Sequence, residues 1–143
     1  FELPARSVPS FDLILLGLGG DGHTASLFPE TTALAERQRL AVANWVPKFQ
    51  TARITLTVPV LNAAATVMFL VRGEDKAQAL AAVVDGLHDP VRLPAQLVNP
   101  ERTRIRWLVD AAAAQMLSDG VRLKPDTTTE TVRLKPDTGG SHA

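Results

Sequence analysis

Apolar and polar positions along the chain predict strands that alternate with helices. Largely apolar runs at residues 11–16 and 66–71 are typical of strands that are buried on both faces of a sheet. Residues 40–46 are apolar enough for a short strand, and residues 53–58 alternate polar with β-branched side chains. Residues 105–109 form the last predicted strand.

Segments with apolar residues at helical spacing lie between several of these runs. Residues 75–84 place apolar and alanine side chains on one face, and Gly86 is expected to end that helix. A shorter helix is predicted over residues 59–65, and Asp110 is placed to cap an alanine-rich helix that runs to about Leu117. The pattern predicts an α/β fold: a mostly parallel open sheet with flanking helices, as in part of a doubly wound, Rossmann-like domain.

Three segments differ in character. Residues 1–10 are an irregular lead-in with two prolines, and residues 11–118 carry the α/β pattern. Residues 119–143 contain the sequence VRLKPDT twice, at 121–127 and 132–138. Few apolar side chains are available there to offset the entropy of ordering, so we expect a disordered extension; a partner-binding tail is the alternative.

Composition excludes several classes of function. The 143 residues include 15 Lys+Arg and 15 Asp+Glu, so no basic field favours nucleic acid or an anionic membrane. The absence of cysteine excludes disulfides, thiolate nucleophiles and most zinc sites. No apolar run approaches the length of a membrane span, and the expected location is the cytoplasm.

The chemistry is concentrated in a glycine-rich turn, GLGGDGHTASLFP at residues 17–29. It follows the first buried strand directly, and ligands bind at the carboxyl ends of strands in open α/β sheets. One helical turn is predicted over residues 24–28, which Pro29 ends. An Asp two residues before a His can accept the imidazole N–H, so Asp21 and His23 have the pattern of a general base and its orienting group.

Other interpretations of the turn are weaker. Gly17, Gly19 and Gly22 match the spacing of the dinucleotide fingerprint, but Pro29 interrupts the helix that this motif requires and no carboxylate ends the next strand. One Asp and one His are too few for a metal site. Ser26 lacks the sequence of a nucleophile elbow. A polar surface turn with no catalytic role is the remaining alternative.

The run LLGLGGDGHTASLFP resembles the signature segment of the 6-phosphogluconolactonases, which share a superfamily with the glucosamine-6-phosphate deaminases. The Ser-Leu-Phe-Pro continuation favours the lactonase branch over the deaminases. Further segments agree in order: RITLTVPVLNAA at 53–64, FLVRGEDKA at 69–77, LPAQLV at 93–98 and WLVDAAAAQML at 107–117.

The resemblance implies hydrolysis of 6-phosphoglucono-1,5-lactone to 6-phosphogluconate in the oxidative pentose phosphate pathway. His23 would be the base that activates water, Asp21 would orient it, and no metal or organic cofactor is implied. The substrate's phosphate would be bound by Arg53 and Lys76, with Lys48 as a third candidate. Backbone N–H groups of the turn would stabilise the oxyanion, and its glycines are Gly17, Gly19, Gly20 and Gly22.

The resemblance also implies strands and a phosphate-binding turn before the segment at which this chain starts. Without them, a sheet edge and apolar faces are expected to be uncovered, which favours self-association. Two alternatives to the lactonase therefore stand: a deaminase-isomerase of the same superfamily, and a non-catalytic fragment that keeps His23 but does not hold substrate.

Overall fold

A computed structural model describes residues 8–100, 105–118, 123–126 and 129–132. Among these residues, five strands form one sheet and two form a separate hairpin. In the order in which they pair, the strands of the sheet are β1 (Ile14–Gly17), β4 (Val67–Val71), β5 (Ile105–Val109), β7 (Thr129–Val132) and β6 (Leu123–Asp126).

The centre of the sheet is parallel, as the apolar runs predict. β4 pairs with β1 on one side and with β5 on the other, both in parallel register. Phe69 of β4 lies opposite Trp107 of β5, and their rings stack with centroids 4.0 Å apart. Both side chains are almost fully buried, so this pair lies in the middle of the core. The prediction of an α/β fold is confirmed.

Three short helices pack on the sheet: α1 (Val58–Asn62), α2 (Ala77–Val84) and α3 (Ala111–Ala114). The helix expected from residue 75 starts as a 3₁₀ turn over Glu74–Lys76 and becomes α-helical at Ala77. Asp110 caps α3 as predicted, because its carboxylate accepts from the backbone N–H of Ala113 at 2.8 Å. The prediction that α3 runs to about Leu117 is wrong, since the helix ends three residues earlier.

The remaining two strands, β2 (Ala41–Val46) and β3 (Thr51–Leu56), form an antiparallel hairpin outside the main sheet. β3 starts and ends two residues earlier than predicted. It ends before Thr57, whose hydroxyl donates to the carbonyl of Arg39 at 2.7 Å and whose backbone precedes the first turn of α1. Gln50 closes the hairpin loop with a positive φ of 50°.

Two apolar surfaces are left uncovered by the described residues. Leu15 of the edge strand β1 and Leu13, just before this strand, are half exposed, and so is Leu70 of the neighbouring strand β4. On the hairpin, Trp45 and Ile54 point away from the core. Among the described residues, β1 is thus an edge strand of the sheet with no strand on its outer side.

The sequence predicts disorder for residues 119–143, but eight of these residues form two strands in the structure. β7 pairs antiparallel with β5, and β6 pairs with β7. Pro125 lies in β6, at the outer edge of the sheet, where a residue without an N–H is tolerated. The rest of this segment, and the lead-in over residues 1–7, lie outside the described residues.

Within the described part of the chain, no helix has the length and apolar character needed to cross a bilayer.

Candidate active site

The glycine-rich turn leaves the carboxyl end of β1 and is closed by hydrogen bonds of its own backbone. The N–H of Gly22 donates to the carbonyl of Gly19 at 3.0 Å, and the N–H of Gly19 donates to the carbonyl of His23 at 2.9 Å. The buried hydroxyl of Thr24 donates to the carbonyl of Gly17 at 2.8 Å. These bonds fix the path of the backbone on both sides of His23.

Two glycines of the turn are required by its geometry. A Cβ at Gly19 would overlap the imidazole ring of His23 and lie 2.8 Å from Oδ1 of Asp21. Gly22 has a φ of +76°, and a Cβ there would lie 2.6 Å from the side chain of Leu93. The close packing of the Asp–His pair therefore depends on the missing side chain at Gly19.

The other two glycines have space around them. A Cβ at Gly17 would meet no atom within 4 Å, and a Cβ at Gly20 would make an ordinary contact with the backbone oxygen of Asp75 at 3.8 Å. The latter contact places the loop after β4, which contains Lys76, against the turn.

Asp21 holds the imidazole of His23 by one nitrogen. Oδ1 of the carboxylate lies 2.5 Å from Nδ1 of the ring and also accepts from the backbone N–H of His23 at 3.3 Å. Oδ2 accepts from Nζ of Lys48 at 3.0 Å. Because Nδ1 faces Asp21, Nε2 is the nitrogen left to interact with a ligand.

The carboxyl group of Asp21 has a pKa of about 2, well below the ordinary 3.8. Burial opposes its ionisation, but hydrogen bonds from His23 and Lys48 and the charge of the imidazolium together outweigh burial. Asp21 is therefore ionised at any physiological pH and presents a fixed negative charge to the ring of His23.

The prediction of a helical turn over residues 24–28 is wrong. Thr24 and Leu27 instead form an isolated antiparallel bridge around a tight turn, in which the N–H of Leu27 donates to the carbonyl of Thr24 at 2.9 Å. Ala25 adopts a left-handed φ of 51°, which a right-handed helix does not allow.

A row of aromatic rings connects His23 to the hairpin. The ring of Phe28 stacks on the imidazole with centroids 4.1 Å apart, and Phe49 meets Phe28 edge-on at 5.6 Å. The guanidinium of Arg53 lies 5.2 Å from the centroid of Phe49, and Nζ of Lys48 lies 5.5 Å from it. The sequence analysis did not single out either phenylalanine, although Phe28 lies within the signature run.

The three predicted phosphate-binding cations have different surroundings. Arg53 is exposed on β3 and lines a shallow cavity of about 370 Å³ together with Ser26 and Thr51. Lys48 is bound to Asp21. Lys76 lies beside the glycine turn, and its ammonium is paired with the carboxylate of Asp75 at 2.9 Å. The structure thus groups Arg53 and Lys48 with His23 through Phe49 and Asp21, and brings the loop that carries Lys76 next to Gly20 of the turn.

No cluster of three or more His, Cys, Asp or Glu side chains suited to a metal ion occurs among the described residues. The groups assembled near the imidazole of His23 are one ionised carboxylate, backbone amides, aromatic rings and cations. Such a set suits proton transfer at an uncharged reacting group of a substrate that also carries an anionic group.

Comparison with known proteins gives consistent matches. The sequence profile of the family described as "Glucosamine-6-phosphate isomerases/6-phosphogluconolactonase" matches residues 1–107. The chain is 46% identical over 113 residues to a 6-phosphogluconolactonase of Homo sapiens, covering 78% of this chain and 43% of that protein. A 6-phosphogluconolactonase of Synechocystis sp. is 46% identical over 118 residues, covering 82% of this chain and 48% of the relative.

Solved structures agree with the sequence comparison. The crystal structure of the devB protein matches with a TM-score of 0.72 and 34% identity, over 81% of this chain and 48% of that one. The 6-phosphogluconolactonase of Leishmania guyanensis matches with a TM-score of 0.67 and 31% identity, over 78% and 44% of the two chains. The present chain therefore spans about half the length of the relatives it matches.

Proposed function

Because the chain belongs to the glucosamine-6-phosphate isomerase/6-phosphogluconolactonase family, we propose that it provides the catalytic base for hydrolysis of 6-phosphoglucono-1,5-lactone to 6-phosphogluconate. The observation that carries this proposal is the contact between the ionised carboxylate of Asp21 and Nδ1 of His23, which leaves Nε2 free. The names of the curated relatives, which are 6-phosphogluconolactonases at 37–46% identity, support the lactone as substrate.

In the proposed reaction, Nε2 of His23 accepts a proton from water as the water oxygen attacks the lactone carbonyl. The carbonyl oxygen becomes an oxyanion, and collapse of the tetrahedral intermediate breaks the bond between the carbonyl carbon and the ring oxygen. His23 then returns its proton to the departing oxygen. The negative charge of Asp21 stabilises the imidazolium between the two proton transfers.

The turn limits which amides serve as oxyanion donors. The N–H groups of Gly19 and Gly22 already donate within the turn, and that of His23 donates to Asp21. The N–H groups of Gly20 and Asp21 have no acceptor among the described residues. We therefore assign oxyanion stabilisation to these two amides.

Arg53 is the principal candidate for binding the phosphate. Its guanidinium lies beside Phe49 at the rim of the 370 Å³ cavity and makes no ion pair within the described part of the chain. Lys48 is engaged by Asp21 and Lys76 by Asp75, so each contributes as a second charge rather than as a free ligand. A guanidinium is suited to bidentate contact with phosphate oxygens.

The base is tested by assaying the chain for lactone hydrolysis above the spontaneous rate. We expect His23→Ala to lower the enzymatic rate by about 10²–10⁴ while the circular dichroism spectrum is unchanged. His88→Ala is the matched control, because His88 is exposed in a loop and should be replaceable without effect. Equal rates for wild type and His23→Ala would refute the role of His23.

Phosphate binding is tested by comparing 6-phosphogluconolactone with plain gluconolactone. We expect Arg53→Gln to raise KM for the phosphorylated substrate and to leave the plain lactone unaffected. Arg92→Gln, at an exposed arginine paired with Asp89, serves as the control. An equal loss on both substrates would reject a phosphate-binding role for Arg53.

The two alternatives predict different results in the same assays. A deaminase would release ammonia from glucosamine-6-phosphate, and a non-catalytic fragment would turn over neither substrate. We also propose that the reaction takes place in the cytoplasm, because the phosphate keeps the substrate in the compartment in which it is formed.

Self-association is a separate part of the proposal. It is supported by the backbone groups on the outer side of β1, which pair with no other strand in the described part of the chain, and by the exposed side chains of Leu13 and Leu15. We expect the sedimentation coefficient to rise with protein concentration, and Leu15→Lys to reduce this rise. A monomer over the whole concentration range would contradict it.

A further inference from the structure

We propose that Asn44 is a positioning residue that sets the imidazole of His23 relative to the strand that carries Arg53. This inference rests on the proposed function, since it assigns Asn44 a role in the same site. Asn44 touches neither His23 nor the cavity beside Arg53, so its effect is transmitted through backbone and rings.

The amide of Asn44 holds two points of the segment that follows His23. Asn44 lies on β2 with no exposed surface, and its Nδ2 donates to the carbonyl of Ser26 at 2.9 Å and to the hydroxyl of Thr31 at 3.0 Å. The direction of the first bond is unambiguous, because a backbone carbonyl only accepts. The hydroxyl of Thr31 donates onward to the carbonyl of Phe28 at 2.7 Å.

These bonds bracket Phe28 from both sides. Ser26 is fixed two residues before it and Thr31 three residues after it, and the ring between them stacks on the imidazole of His23. Asp21 determines which ring nitrogen of His23 is free, whereas Phe28 determines the plane in which the ring lies. Asn44 therefore controls that plane through Phe28.

Asn44 is also connected to β3, the strand that carries Arg53. Asn44 on β2 lies directly opposite Arg53 on β3 in the hairpin register. Two residues along β3, the hydroxyl oxygen of Thr55 accepts from the N–H of Ser26 at 3.2 Å. Both strands of the hairpin thus hold Ser26, and the separation of the base from the guanidinium depends on these contacts.

An apolar side chain would be the simpler choice at a position without solvent contact. Burial of an amide is unfavourable unless its polar atoms find partners, and Oδ1 of Asn44 has none among the described residues. The amide is therefore unfavourable for packing alone. Its presence is explained by the two hydrogen bonds that it donates toward the segment carrying Phe28.

The test compares Asn44→Leu with Asn62→Leu. Asn62 is a matched control, because its amide donates to the carbonyl of Leu97 at 2.9 Å and accepts from the N–H of Asn99 at 3.0 Å, away from the hairpin. Two quantities are measured: the ratio of kcat/KM for the phosphorylated lactone to that for plain gluconolactone, and the ring proton shifts of His23 by NMR. Loss of folded protein alone lowers both rates equally and leaves the ratio unchanged.

We expect Asn44→Leu to lower this ratio by about tenfold or more and to shift the His23 ring resonances, because the ring current of Phe28 acts on them. Asn62→Leu is expected to lower Tm without changing either quantity. Thr31→Val, which keeps Asn44 but breaks the relay to Phe28, is expected to produce a smaller shift in the same direction and serves as the test if Asn44→Leu does not fold.

An unchanged ratio and unchanged His23 resonances in a folded Asn44 or Thr31 variant would overturn the inference. If the wild-type chain does not hydrolyse the lactone, the proposed function fails, but the NMR comparison still decides whether Asn44 positions His23. The two failures are therefore distinguishable.

Discussion

Replacement of Asp21 by asparagine removes one charge at the centre of the site and turns the acceptor of the Lys48 ammonium into a donor, while the shape of the side chain is kept. The amide has the shape of the carboxylate and still offers an oxygen to Nδ1 of His23. It no longer attracts the ammonium of Lys48 or an imidazolium at His23 by charge. Asp21→Asn therefore separates the electrostatic contribution of Asp21 from its packing.

The expected loss of stability follows from the pKa. The difference between the ordinary value of 3.8 and about 2 corresponds to about 2 kcal/mol in favour of the ionised form in the folded chain. A quarter of the Asp21 side chain is exposed, so solvent screening reduces this to about 1–2 kcal/mol. Asp21→Asn should lower the free energy of unfolding at pH 7 by that amount.

The sign of the pH dependence is fixed by the direction of the shift. Because the pKa of Asp21 is lower in the folded state, its contribution is complete above pH 3.8 and is lost as the pH falls toward 2. Urea denaturation of wild type and Asp21→Asn, followed by circular dichroism, should therefore give curves that differ at pH 7 and converge near pH 2.

Glu36 provides the matched control. Its pKa is also lowered to about 2, by backbone N–H donors of Gln38 and Arg39 and by the Arg39 side chain, but it lies outside the site. Glu36→Gln should change the pH dependence of stability and leave lactone hydrolysis unaffected, whereas Asp21→Asn should lower kcat by about 10²–10⁴. A stability difference for Asp21→Asn that is the same at pH 2 and pH 7 would refute the electrostatic reasoning.

Two further predictions concern the frame of the site. Gly22→Ala should lower the free energy of unfolding by at least about 1–2 kcal/mol in urea titrations, because of its positive φ and the overlap with Leu93, whereas Gly20→Ala in the same turn should have no measurable effect. Asp110→Ala should lower Tm, since Asp110 caps α3 and accepts from the backbone N–H of Gly73. Backbone hydrogen bonds lower the pKa of Asp110, so the difference in Tm between wild type and Asp110→Ala should be lost in strong acid.

The elements that the sequence predicts best are those whose structure is determined by residues close together in the chain. Strands of a parallel sheet are mostly apolar, so β1, β4 and β5 are recognisable from residues 11–16, 66–71 and 105–109 alone. Burial on both faces is not found among the described residues for β1, because Leu15 is half exposed. The cap at Asp110 and the contact between Asp21 and His23 are also local, since each joins residues two or three positions apart.

What the sequence does not predict depends on contacts between distant residues. Phe28 and Phe49 are 21 positions apart, and the hairpin brings the ring of Phe49 against that of Phe28, which stacks on His23. The helical turn expected after His23 is absent because Ala25 takes a left-handed conformation. The next residue, Ser26, is hydrogen-bonded to Asn44 and Thr55, which are distant in the sequence. Local propensity carries no information about these partners.

The unequal environments of the two tryptophans give the chain a pair of built-in optical probes. Trp107 is 2% exposed and stacked on Phe69 in the core, whereas Trp45 is 56% exposed on the hairpin, and the sequence contains no tyrosine. A collisional quencher in solution will extinguish the red-shifted emission of Trp45 and leave the blue emission of Trp107. Intrinsic fluorescence can therefore report separately on movements of the hairpin and on melting of the core, without any attached label.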